Sequence, residues 1–140
     1  MLNRRGLFGL LLAGALGAAG LMAAATTAAE AQSIERTVFD QQAFDAALAE
    51  GGPVLIDIKA TWCTTCQQQA AVLDLLYKMR PEFGAIKIFT VDYDTRKDVM
   101  RSFGATQRAT LIAFKDGAEV GRLVFETRPS IIQALLDAAI

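Results

Sequence analysis

The only two cysteines of this 140-residue chain stand two residues apart, in Thr61-Trp62-Cys63-Thr64-Thr65-Cys66. Before them runs Val54-Leu55-Ile56-Asp57-Ile58, an apolar stretch that reads as a strand. After them, from Gln67 to Met79, the apolar residues recur at helical spacing. The pair therefore sits where a strand gives way to a helix. That junction restricts the chain to an α/β arrangement in which a helix begins beside the end of a central strand, and a Cys-x-x-Cys there is a redox signal.

A thiolate is the nucleophile of disulfide exchange, and the unpaired N–H groups and positive dipole end of a helix N-terminus stabilise it. Two intervening residues in the first turn let both sulfurs reach bonding distance. The second thiol can then attack a mixed disulfide formed by the first and release the partner. Cys63 is thus expected to attack and Cys66 to resolve. The chain has no histidine, which excludes Cys-His nucleophilic catalysis and histidine metal sites, and two cysteines alone do not complete a four-coordinate zinc site. A purely structural role fits poorly, because a disulfide closing so small a loop constrains an unfolded chain little. Two other classes remain open: a binding or scaffolding module without turnover, and a dimer holding a metal or iron–sulfur cluster on four thiolates from two chains.

The element order reads βαβαβαββα. Thr37-Val38-Phe39 is a short strand, and Asp40 caps a helix over Gln41 to Ala49. Val54 to Ala60 is a central strand, followed by a helix from Cys63 to about Arg80 that Pro81 closes, with Val72, Leu73, Leu76 and Tyr77 inward. Ile86 to Val91 is a parallel strand reached by a right-handed crossover. A short helix starts at Asp94 or Thr95 and ends near Phe103-Gly104. Thr110 to Phe114 and Val120 to Phe125 form a hairpin across Asp116-Gly117. Pro129 opens the last helix, with Ile131, Ile132, Leu135 and Leu136 on its buried side.

From Phe39 to Leu136 the chain resembles a thioredoxin domain. The resemblance implies the thioredoxin fold, a central mixed β-sheet flanked by helices, and a protein-disulfide oxidoreductase that needs no cofactor and no metal. Val54-Leu55-Ile56-Asp57 is similar to the family strand bearing a buried aspartate, which makes Asp57 the implied acceptor of the resolving thiol's proton. Gly104 and the run Ala109-Thr110-Leu111-Ile112-Ala113-Phe114-Lys115-Asp116-Gly117 resemble the loop and hairpin that close the site. In the family that loop carries a cis-proline, lies against the cysteines and pairs its backbone with substrate, so Arg108, Ala109 and Thr110 are the implied substrate-binding residues, with Trp62 on the rim. Here the proline position holds Ala109. A cis bond before a non-proline costs about 2.5–4 kcal/mol against about 0.5–1 before proline, so the Arg108–Ala109 bond is expected to be trans. Gln67, Ala71 and Ile88 replace a common lysine, a kinking proline and a lysine near the buried aspartate. Two cations are candidate modulators of the site: Lys59, on the same strand face as Asp57 and able to pair with it, and Arg108, whose charge would favour the Cys63 thiolate.

The first 31 residues have the three parts of a secretory leader: a basic start with Arg4 and Arg5, an apolar segment from Gly6 to Ala25, and the small-residue site Ala29-Glu30-Ala31. They are expected to be cleaved before Gln32; the alternative is an uncleaved anchor facing the periplasm. Asn3-Arg4-Arg5-Gly6-Leu7-Phe8 also resembles a twin-arginine signal. Without the leader, Arg4, Arg5 and Glu30 are lost and 12 basic and 14 acidic residues remain, a net charge of −2. No basic patch marks a nucleic-acid partner. The domain of residues 32–140 is expected to act as a periplasmic monomer on protein disulfides. With only hydroxyls between its cysteines it reads as a reductant or exchanger of disulfides, of middling to low potential, and a membrane thiol-electron carrier is the implied source of electrons for a reductant.

Overall fold

Strand β2, Val54–Lys59, is the axis of the molecule, and its first five residues are buried on both faces of the sheet. The computed structural model describes residues 34–140. In chain order these form β1 (Arg36–Val38), α1 (Gln41–Ala49), β2, α2 (Thr64–Met79), a 3-10 turn at Pro81–Ala85, β3 (Lys87–Asp92), α3 (Lys97–Ser102), β4 (Thr110–Lys115), β5 (Ala118–Val124) and α4 (Pro129–Ala139). The strands lie in the order β1-β3-β2-β4-β5. The first three are parallel, β4 runs antiparallel to β2, and β5 runs antiparallel to β4. This is the expected mixed sheet in the expected βαβαβαββα order. The expected leader lies outside the described residues.

Period-two alternation along β2 divides the core. Val54, Ile56 and Ile58 face one side, where they meet Phe44 and Ala47 of α1 and Val99 and Met100 of α3. Leu55 faces the other, against Leu73 and Leu76 of α2 and Ile132, Leu135 and Leu136 of α4. Burying each such side chain contributes roughly 1.5–3 kcal/mol. Asp57 falls on the second side, the layer that holds α2. The strand that builds the core therefore also delivers a carboxyl group towards the helix that carries the cysteines.

The ends of elements follow local chemistry. Asp40 takes the extended conformation and its Oδ1 accepts the Ala43 N–H at 2.8 Å, starting α1 where expected. The Asp116-Gly117 turn has φ of +50° and +79°, the left-handed pair that suits a two-residue hairpin. Other ends differ from expectation. Helix α3 begins at Lys97 rather than Asp94 or Thr95, because Asp92 Oδ1 accepts the Asp94 and Thr95 N–H groups at 2.9 and 2.8 Å and holds them in a turn. Strands β1, β3 and β5 are offset by one or two residues, and Pro81 opens a 3-10 turn rather than only ending α2.

Candidate active site

Cys63 is the N-cap of α2, in extended conformation, and Cys66 lies in the first helical turn. The two are joined as a disulfide with their Cα atoms 5.2 Å apart. The Cys66 backbone N–H donates to Cys63 Sγ at 3.1 Å. One of the helix's otherwise unpaired donors thus serves the sulfur expected to carry negative charge in the reduced form. Both cysteines are nearly enclosed, in a small cluster with Ala60 and Ala109. A cavity of about 310 Å³ opens beside Cys66, with Lys59, Ala60, Thr61 and Gln67 among its walls.

Asp57 is 3% exposed. Burial pushes its carboxyl from the ordinary 3.8 up to about 6, outweighing the positive charges of Lys59 and Arg36, which pull it down. Lys59 forms no ion pair with Asp57 among the described residues and acts on it through space. It is half-buried at the strand end and borders the cavity. Ile88 is buried in the core, so the cationic influence comes instead from Lys59 and from Arg36 of β1, whose Nη2 donates to Asp74 Oδ1 of α2 at 2.9 Å.

The loop before β4 closes the site. Ala109 is fully buried against the cysteines and adopts a φ of +52°, a left-handed conformation unusual for alanine. Thr110 Oγ1 donates to the Gln107 carbonyl at 2.7 Å and tightens the loop. The Arg108 guanidinium lies 4.9 Å from the Trp62 ring centroid and 5.3 Å from that of Phe125. Trp62 is 56% exposed, meets Tyr93 edge to face, and its Nε1 donates to Asp94 Oδ2 at 2.8 Å. The fold thus brings Trp62, Cys63, Cys66 and the Arg108–Thr110 loop together at one end of the sheet. Tyr93, Phe125 and Gln69 join them without having been singled out in the sequence. Gln69 had a legible signal, since a polar residue interrupts the buried helical stripe of Cys66, Leu73 and Leu76. Phe125 had none, because only the hairpin's return carries it to Arg108. Among the described residues no cluster of three or more cysteine or acidic side chains is placed to hold a metal ion.

A buried, helix-capping cysteine pair at the end of a mixed five-stranded sheet, with a buried carboxyl on the sheet face that packs the cysteine-bearing helix, defines a thiol–disulfide oxidoreductase domain. Residues 35–138 match the family model for thioredoxin. The chain belongs to the thioredoxin family. It is 32% identical over 102 residues to a thioredoxin of Mycolicibacterium smegmatis, covering 72% of this chain and 91% of that one. Over 93 residues it is 36% identical to a thioredoxin of Pseudomonas aeruginosa, covering 66% and 84%. Among solved structures it is similar to Trxlp from Edwardsiella tarda, with a TM-score of 0.69 and 35% identity over 73% of this chain and 98% of that one.

Proposed function

We propose that this protein is an exported reductant of protein disulfides that works from the Cys63/Cys66 dithiol. The observation that carries the reading is the disulfide itself, seated at the start of α2 with a backbone N–H on Cys63 Sγ. In the forward direction the Cys63 thiolate attacks one sulfur of a substrate disulfide. A Cys63–substrate bond forms and the first substrate thiolate leaves. Asp57, ionised above about pH 6, accepts the Cys66 proton, directly or through water in the neighbouring cavity. The Cys66 thiolate then attacks Cys63 Sγ, the Cys63–Cys66 bond forms, and the second substrate thiolate departs. Two electrons pass from the pair to the substrate, and the protein is left in the disulfide form described above.

An extended substrate segment would lie along Arg108, whose backbone N–H and C=O have no hydrogen-bond partner among the described residues. Trp62 and Phe125, both well exposed, supply an apolar rim. Export is supported by the leader-like composition of residues 1–31, and a reductant outside the cytoplasm needs a membrane thiol-electron carrier to return it to the dithiol. The monomeric state is part of the same proposal.

The test is the reduction potential of the pair in protein lacking the leader, equilibrated in dithiothreitol buffers, with Cys66→Ser as the variant that traps mixed disulfides. A value near about −270 mV supports a membrane-fed reductant, whereas one near about −120 mV would instead mark an oxidant that makes disulfides. Recovery of a form beginning at Gln32 from the periplasmic fraction tests export. A protein retained at full length in the cytoplasm would refute it.

A further inference from the structure

Three polar or charged residues are buried among the described residues: Asp57, Thr110 and Gln69. The first has a chemical role and the second braces its own loop. Gln69, 1% exposed, lies one helical turn beyond Cys66. Its Nε2 donates to the Ala109 carbonyl at 3.0 Å and to the Glu126 carbonyl at 2.9 Å. The Phe125 N–H donates to the same Ala109 oxygen at 2.9 Å. One side chain from the redox helix therefore ties together the segment entering β4 and the segment leaving β5.

Both tied segments are strained. Ala109 and Phe125 have φ of +52° and +55°, a conformation that residues other than glycine hold only where the surroundings over-determine it. Gln69 also carries a cost, because its Oε1 is buried without a donor. A leucine or methionine would fill the position without leaving that acceptor unpaired, so the amide needs a reason to be there. The reason on view is its NH2 group, which satisfies two carbonyls and fixes two left-handed residues at once.

We propose that Gln69 is the positioning residue of the substrate-docking loop. It does not touch the reacting sulfurs. By holding Ala109 and Glu126 it keeps Ala109 packed on the disulfide and the Arg108 peptide presented to an incoming polypeptide. The inference rests on the oxidoreductase reading and assigns the rigidity of the loop, at a position without proline, to a side chain on the neighbouring helix.

The test replaces Gln69 with methionine, which keeps the volume and the helix but removes the donors. Steady-state reduction of insulin is measured beside reduction of a small aryl disulfide, 5,5′-dithiobis(2-nitrobenzoate), which has no backbone to pair. Gln69→Met should raise KM for insulin about tenfold, the scale of one lost buried hydrogen bond. The kcat for insulin and the rate with the aryl disulfide should change far less. Equal losses on both substrates, or no loss on either, would overturn the proposal. A wild-type protein that reduces neither substrate would overturn the oxidoreductase reading itself, a result separable from any behaviour of the variant. Should Gln69→Met fold poorly, the wild-type protein still decides the matter by NMR. The Gln69 side-chain NH2 should exchange with solvent at least about tenfold more slowly than those of the exposed Gln67 and Gln68; equal exchange would refute the clamp.

Discussion

Asp57 is the residue at which stability and chemistry oppose each other. Its carboxyl titrates near 6 in the fold, above the ordinary 3.8, so between about pH 4 and 6 the folded state binds the proton that the unfolded chain has released. The contribution of this carboxyl to stability is accordingly greatest below about pH 4, falls as pH rises through that window, and levels off above it, by at most about 3 kcal/mol. Asp57→Asn should remove the slope. Urea melts are expected to show the variant more stable than wild type at pH 7.5 by up to about that amount, and close to it at pH 4. If Asp57 is the proposed acceptor for the Cys66 proton, the same substitution should make mixed disulfides trapped by rapid quenching persist about a hundredfold longer at pH 7. A variant that gained stability but resolved mixed disulfides at the wild-type rate would leave Asp57 as a buried charge without a catalytic part.

At the scale of elements, α1 depends on a single cap. Asp40→Ala removes the bond to the Ala43 N–H and should lower stability by about 1 kcal/mol, read as a shift in the urea midpoint with an unchanged slope. Helix α2 depends on packing. Leu73, fully buried between the sheet and α4, should cost about 2–5 kcal/mol on truncation to alanine. These elements were legible in the sequence because their apolar residues keep a helical or strand period. The start of α3 was not, since Asp92 caps a turn ahead of the helix and the chain's charge pattern hides which acidic residue does so. The cysteine pair was legible because few residue types perform its chemistry, and Asp57 stood out as a lone carboxylate in an apolar strand, which the structure shows buried. Gln69 was visible only as an oddity in an apolar stripe, and Phe125 not at all. Their partners are backbone carbonyls and a guanidinium remote in sequence.

At the scale of the whole molecule, redox state and folding are linked. The chain closes its disulfide through four residues at the start of a helix that is held by the sheet behind it. The oxidised protein should therefore unfold at higher denaturant than the dithiol form, by an energy that follows the pair's potential at about 1.4 kcal/mol per 30 mV relative to the unfolded chain's own pair. Urea melts of the two forms, set against a measured potential, check this. A gap in free energy that failed to match the potential would mean that one of the two forms does not unfold in a two-state equilibrium.

The sequence by itself determined the α/β class, the order of elements, the sulfurs and the carboxyl, because periodicity and reactive residue types are local properties. Only the tertiary structure added Arg36 to Lys59 among the charges that reach Asp57. It alone turned Ala109 inward against the cysteines, laid Arg108 over Trp62 and Phe125, and gave Gln69 two carbonyls to hold. The Gln69 bonds depend on the sheet bringing segments some forty to sixty residues apart within hydrogen-bonding distance, and no local pattern encodes the partner of a polar group buried by a remote strand.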